Sequence, residues 1–188
     1  LNEKQQIGLR YYDELNQPIP REEIVKHEKH LKTFLKKTDP NAELTISGSY
    51  RRNKAESGDI DVLLKADKKE TYTNFIKKLV NQGYLIEELA LGTKKYNGIC
   101  KLGRSCIGRR IDIMYTTPSE YPFAILYFTG SGDFNQVMRK EVNQKGFTMN
   151  EYGIKSSETG KKVDFEFSVE KDIFDFLDMG YVEPWQRL

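Results

Sequence analysis

The chain has 188 residues, 30 basic and 28 acidic side chains, a formal net charge of +2 and 38% hydrophobic residues. This composition excludes disordered, fibrous and collagenous classes, and the length accommodates one sizeable core or two small ones. No apolar run approaches the roughly 18 residues of a membrane span, no secretory signal opens the chain, and Cys100 and Cys106 lack zinc-ligand spacing and read as reduced intracellular thiols.

Residues 5–23 read as a helix end, a turn at Pro18 and Pro20, and a new helix start. Arg21, Glu22 and Glu23 suit a first helical turn, where acids meet the positive end of the helix dipole. Over residues 21–37, Ile24, Val25, Leu31, Phe34 and Leu35 recur at helical spacing, and Glu28 narrows the apolar face. His27 and His30 lie on this helix and read as exposed among charges rather than as metal ligands. Residues 42–50 alternate and predict a strand running into a turn at Gly48-Ser49. Residues 59–66 predict a second strand, with Leu63 on the face of Asp59 and Asp61, and Val62 and Leu64 on the other. An amphipathic helix closed by Gly83 follows, then strands over 85–92, 95–103 and 109–116. Pro118 to Pro122 reads as a linker. Beyond it come an apolar-aromatic helix, a basic amphipathic helix over 134–146, a short-stranded tail and a last helix stopped by Gly180. The order predicts an α+β fold: a mixed sheet carrying acids, then a smaller C-terminal α/β unit.

Charge is patterned along this plan. From Gly92 to Ile111 the chain carries Lys94, Lys95, Lys101, Arg104, Arg109 and Arg110 and no acid, and Arg139, Lys140 and Lys145 form a second basic stretch. Such stripes suit phosphate contact, and they equally suit an ordinary solvated face; charge alone leaves both readings open.

The acids are more specific. On a strand, residues i and i+2 share a face at roughly 6.5–7 Å, so Asp59 and Asp61 converge. Asp112, inside the apolar run "RRIDIM", offers a third carboxylate on another strand. Ionised carboxylates about 5 Å apart repel by about 1–3 kcal/mol between the dielectric extremes of water and a protein surface. A hard divalent cation offsets that repulsion, and carboxylates with phosphate oxygens suit Mg²⁺. Two such ions can clamp the attacking and leaving oxygens of a phosphoryl transfer. Upstream, the Gly48-Ser49 turn and Arg52 can hold outer phosphates, and Gly58 allows close backbone approach. A lone D-x-D pair is weak, since surface strands often carry one. A Gly-Ser turn, D-x-D about ten residues on and a third strand Asp together resemble the signature of the nucleotidyltransferase fold.

The stretches "IGLRYYDELNQPIPREE", "GSYRRNKAESGDIDVLL", "GRRIDIM", "ILYFTGSGDFNQVMRKEVNQKGF", "NEY" and "EKDIFDFL…YVEPWQR" run in order over nearly the whole chain. With them the chain resembles the beta- and lambda-like family X DNA polymerases; "YFTGS" with "FNQVMR" is more specific than the acids. The resemblance implies a thumb or helix-hairpin-helix remnant over residues 1–20, a catalytic palm over 21–117 and a nucleotide-selection unit over 118–188. It implies that Asp59, Asp61 and Asp112 bind two Mg²⁺ ions, with Mn²⁺ as a substitute, and that Asp112 activates the primer 3′-hydroxyl. Gly48, Ser49, Arg52 and Gly58 would serve the triphosphate, with Arg21 further out. Tyr127 and Phe128 would line the deoxyribose pocket, although by spacing alone they read as core aromatics. Gly130-Ser131 would carry a cis peptide, and Asn135 would reach the base edge. Arg110 would orient Asp112 and approach the primer end, and Arg139 and Lys94 would likewise contact DNA. The implied partners are gapped or primer-template DNA and a dNTP, with no membrane, and the implied protein is a monomer inside the cell, nuclear in a eukaryote.

Departures from the family pattern qualify this. The chain starts at Leu1, and the family's N-terminal lyase domain and most of its helix-hairpin-helix have no counterpart here. Removal of 5′-deoxyribose phosphate is therefore not expected, and weaker DNA affinity is. Gly132 stands where the beta-type enzyme has an acid, and Met114 where it has an arginine. Tyr127-Phe128 in place of Gly-Trp points away from the template-independent branch. Competing readings are another nucleotidyltransferase and a weakly active or non-catalytic DNA-end-binding fragment.

Overall fold

The computed structural model describes residues 1–188. Two short helices, α1 (Glu3–Arg10) and α2 (Tyr12–Leu15), open the chain. Asn2 and Gln5 cap α1 reciprocally, each side-chain oxygen accepting from the other's backbone N–H at 2.9 Å. Then follow β1 (Ile19–Pro20), α3 (Arg21–Thr38), β2 (Glu43–Ile46), the single turn α4 (Gly48–Arg51), β3 (Glu56–Ser57), β4 (Ile60–Lys65) and α5 (Lys69–Asn81). Strands β5 (Leu85–Leu91), β6 (Lys95–Cys100) and β7 (Arg109–Thr116) complete the first unit. The C-terminal unit holds α6 (Tyr121–Thr129), α7 (Gly132–Gln144), the hairpin β8 (Phe147–Asn150) and β9 (Gly153–Ser156), α8 (Glu170–Phe176) and a 3₁₀ turn at Pro184–Gln186. No helix is long and apolar enough to cross a membrane.

The expected mixed sheet is present, with strand order β2-β4-β7-β6-β5. Only β4 and β7 run parallel. Their register sets Asp61 beside Asp112 and Leu63 beside Met114. The next pairing sets Asn97 of β6 opposite Asp112 and Lys95 opposite Met114. Side chains alternate across the sheet, so one face carries Val62, Leu64, Ile111 and Ile113, which join α3 and α5 in the main core. The opposite face carries Leu63 and Met114, which pack on Ala124 and Ile125 of α6. The other side of α6 supplies Phe123 and Leu126 to a separate core with Met138, Val142, Ile173 and Phe174. A helix apolar all round is what a buried element between two cores requires.

Three local expectations change and a fourth is sharpened. His27 is fully buried, because the core-facing stripe of α3 is Ile24, His27, Leu31 and Leu35, while Val25 turns to solvent. A hydrogen bond at 2.7 Å between His27 Nδ1 and the Tyr84 hydroxyl compensates the ring's burial. Pro122 belongs to α6 rather than to the linker, since its missing N–H costs nothing in a first helical turn. The turn expected at Gly48-Ser49 takes the form of a helical turn, α4. Finally, α8 stops before Gly180: Asp178 takes the left-handed conformation at φ 50°, Met179 N–H donates to Phe174 C=O, and Asp178 N–H donates to Asp175 C=O. These bonds satisfy the last carbonyls two residues earlier than expected.

Candidate active site

The β4–β7 register brings Asp61 and Asp112 onto one face, and Asp59 enters from the residue before β4. One carboxylate oxygen from each lies within 4.8 Å of the other two. Burial, then the charges of Asp59 and Asp112, push the Asp61 carboxyl up to about 8, against the opposing pull of Arg52 and Arg110. Asp112 is also raised, chiefly by burial, while a hydrogen bond from Asn97 Nδ2 at 2.6 Å pulls the other way. Arg110 is half exposed and donates to Asp59 at 3.2 Å. Behind the acids, Gly48 has φ 55°, and a Cβ there would collide with the Asp61 carboxylate. Only glycine satisfies both the conformation and the contact. Three converging carboxylates, short of neutralising cations, make a donor set that fits a hard divalent ion.

A cleft of about 520 Å³ opens over Asp61 and Asp112. Its sheet side includes Gly48, Arg52, Lys95 and Asn97; its helical side includes Tyr127, Phe128, Gly130, Asn135 and Arg139. Arg52 donates from Nη1 to the Thr129 carbonyl at 2.6 Å, whereas its buried Nε has no partner within the protein. Arg52 as a residue lines the cleft, and a cationic side chain with an unpaired N–H at such a wall suits an anionic ligand. The Gly130–Ser131 peptide is cis. Ser131 Oγ then caps α7 by accepting from Phe134 N–H at 3.2 Å, and Asn135 Nδ2 donates to the Tyr127 carbonyl at 2.8 Å. The Tyr127 ring lies 5.2 Å from the Lys95 ammonium and 5.5 Å from the Arg139 guanidinium. Tyr127 and Phe128 therefore have two roles, packing on the small core beneath α6 and facing the cleft.

Some expected residues stand apart. Ser49 Oγ donates to Ser57 Oγ at 2.7 Å, and Gly58 is exposed; neither lines the cleft. Lys94 pairs with Glu120 at 3.5 Å and lies over the Tyr152 ring, touching neither the acids nor the cleft. Its neighbour Lys95 is the one inside, paired with Glu151 at 2.9 Å. Much of the basic stripe is structural: Arg109 is buried and holds Glu23 through two bonds of 2.7 Å, and Lys101 pairs with Glu14. Sequence reasoning passed over Asn97 and Thr129. Asn97 had one signal available, a polar residue in an otherwise apolar strand.

Comparisons with known proteins agree with this geometry. A family model described as DNA polymerase beta palm matches residues 18–118, and one described as DNA polymerase beta thumb matches residues 124–188. DNA polymerase lambda of Rattus norvegicus is 32% identical over 205 residues, covering all of this chain and 36% of that protein. DNA polymerase lambda of Arabidopsis thaliana is 29% identical over 209 residues, covering all of this chain and 40% of that protein. DNA nucleotidylexotransferase of Xenopus laevis is 26% identical over 227 residues and covered to 44%. The chain thus spans less than half the length of these curated relatives. With both models matched in order and the acid triad assembled on the sheet, the chain belongs to the beta-like family X of DNA polymerases.

Proposed function

We propose that this chain is a catalytic portion of a template-directed DNA polymerase that fills short gaps in DNA repair. The observation that carries the reading is the set of three carboxylates within 4.8 Å, facing a cleft whose other wall bears Tyr127, Asn135 and Arg139. Two divalent ions, Mg²⁺ or in its place Mn²⁺, would supply charge neutralisation and an acidified primer hydroxyl at Asp59, Asp61 and Asp112. The chain's own residues do the rest. Arg52, on the cleft wall beside Gly48, offers its guanidinium to the outer phosphates, and Ser49 and Gly58, which lie outside the cleft, serve the triphosphate from further out. Arg110, already bonded to Asp59, orients the acids beside the primer end. Tyr127, Phe128 and Gly130 form the wall against the sugar and disfavour a 2′-hydroxyl. Asn135 reads the base edge, Arg139 meets the template strand, and Lys94 serves as an outer contact to DNA. Residues 21–117 act as palm and 118–188 as the nucleotide-selecting unit, with 1–20 belonging to a thumb or helix-hairpin-helix region.

Similarity to a nucleotidylexotransferase supports a second reading, addition without a template. One experiment separates the two: single-turnover extension of a primer across a one-nucleotide gap with Mg²⁺, each dNTP offered alone. Incorporation of the complementary nucleotide only is the expected result. Indiscriminate incorporation would favour the second reading, and dNTP–Mg²⁺ binding without incorporation would leave a nucleotide-binding core that does not act on DNA by itself.

A further inference from the structure

We infer that Asn97 is a positioning residue for Asp112, holding one carboxylate oxygen so that the other is presented to the cleft. The inference rests on the polymerase reading for its chemistry and on the strand geometry for its existence. Asn97 and Asp112 are directly paired residues of antiparallel neighbours, so their side chains leave the sheet on the same face. The Asn97 side chain lines the cleft. Its amide approaches Asp112 Oδ1 at 2.6 Å, and a carboxylate only accepts, so the amide nitrogen is the donor. This is the one hydrogen bond made by the Asp112 side chain; Arg110, two residues along the same strand, turns to Asp59 instead.

The residue type is informative. Asparagine is depleted in strands, where its short amide competes with the backbone, and its neighbours Tyr96 and Gly98 are buried on the other face. A residue that breaks the local rule without a packing gain marks a functional position. Lysine or arginine here would hold the carboxylate but also neutralise it, competing with a cation for the same charge. An apolar side chain would leave the carboxylate free to rotate away from Asp59 and Asp61, which repel it. A neutral donor orients the group and preserves its charge. Outer partners of this kind typically contribute about 10–100-fold to metal affinity or activity.

The test compares wild type with Asn97→Leu, of similar size without a donor, and Asn97→Asp, isosteric but unable to donate to a carboxylate while ionised. Mn²⁺ binding to the free chain is titrated by electron paramagnetic resonance, and single-turnover gap filling is measured in parallel. In Asn97→Leu, Mn²⁺ affinity should fall about 10-fold; the rate should fall by a similar factor, with the half-saturating dNTP concentration little changed. Asn97→Asp should bind Mn²⁺ at least as tightly as wild type yet incorporate more slowly, a split that damage to folding would not produce. Unaltered Mn²⁺ affinity in Asn97→Leu overturns the inference, as does an unaltered rate. Should wild type itself fail to incorporate, the polymerase reading fails, and the Mn²⁺ comparison alone decides the role of Asn97.

Discussion

Two carboxylate sites of this molecule, the acid triad on the sheet and Glu170 in the C-terminal unit, are made opposites by their neighbours. On the sheet, Asp61 faces Asp59 and Asp112, and burial with these like charges pushes it up to about 8. In the C-terminal unit, Glu170 is only 6% exposed. It accepts from Arg187 at 2.5 Å, from Arg51 at 3.0 and 3.2 Å and from the Tyr181 hydroxyl at 3.2 Å. Burial alone would raise its carboxyl, but the two arginines hold it below the ordinary range. The triad keeps a surplus of negative charge beyond its Arg110–Asp59 pair, whereas Glu170 is matched by the chain's own arginines. Arg51 comes from α4, the turn that also presents Gly48 and leads to Arg52. The Glu170 group therefore ties α4, beside the cleft, to the C-terminal unit.

The sharpest break of this contrast is Asp112→Ala. Incorporation should drop to background while dNTP binding persists on Asp59 and Asp61, and metal-free stability should hold or rise because a repelling charge is gone. Near-normal turnover would remove the acid group's role. Glu170→Gln should do the reverse, costing about 3–5 kcal/mol because Arg187 is left buried and uncompensated. For a chain of this size that is about 10 °C in melting temperature. A melting temperature within a degree of wild type would show that Glu170 is no tie.

The smallest expected effect concerns pH. Glu170 has a depressed pKa, so its contribution is complete above the ordinary 4.5 and is lost as pH falls through the folded value. His27 adds a second slope. Burial lowers its pKa from 6.5 to about 4, opposed by Glu23. The unfolded chain then takes up the proton first, so stability is full above about pH 6.5 and declines towards pH 4, by about 3 kcal/mol. Denaturant midpoints across this range should fall with pH in wild type, and His27→Gln should flatten the upper part of the decline. An unchanged slope in that variant would show that the buried imidazole carries no such dependence.

Much of the fold and part of the site were legible in the residue order. Backbone geometry repeats with period two in strands and 3.6 in helices, so "DIDVLL" already separates Leu63 from Val62 and Leu64, and "YPFAILYF" already reads as an apolar-aromatic helix. The stripe of α3 was misread at His27 because an imidazole counts as polar until a partner such as Tyr84 is known, and that partner is 57 residues away. Lys94 and Lys95 are adjacent and alike in composition, yet the pleat sends only Lys95 into the cleft. By itself the sequence determined the three acids, the glycine behind them and the elements that carry them. Only the tertiary structure decided that Asp112 lies beside Asp61, that Asn97 holds it, and that Arg51 reaches Glu170 across 119 residues. Strand register and contacts between units arise from hydrogen bonding and packing between distant segments, and a slip of one residue in a strand would turn its side chains, Asp112 and Asn97 among them, to the opposite face.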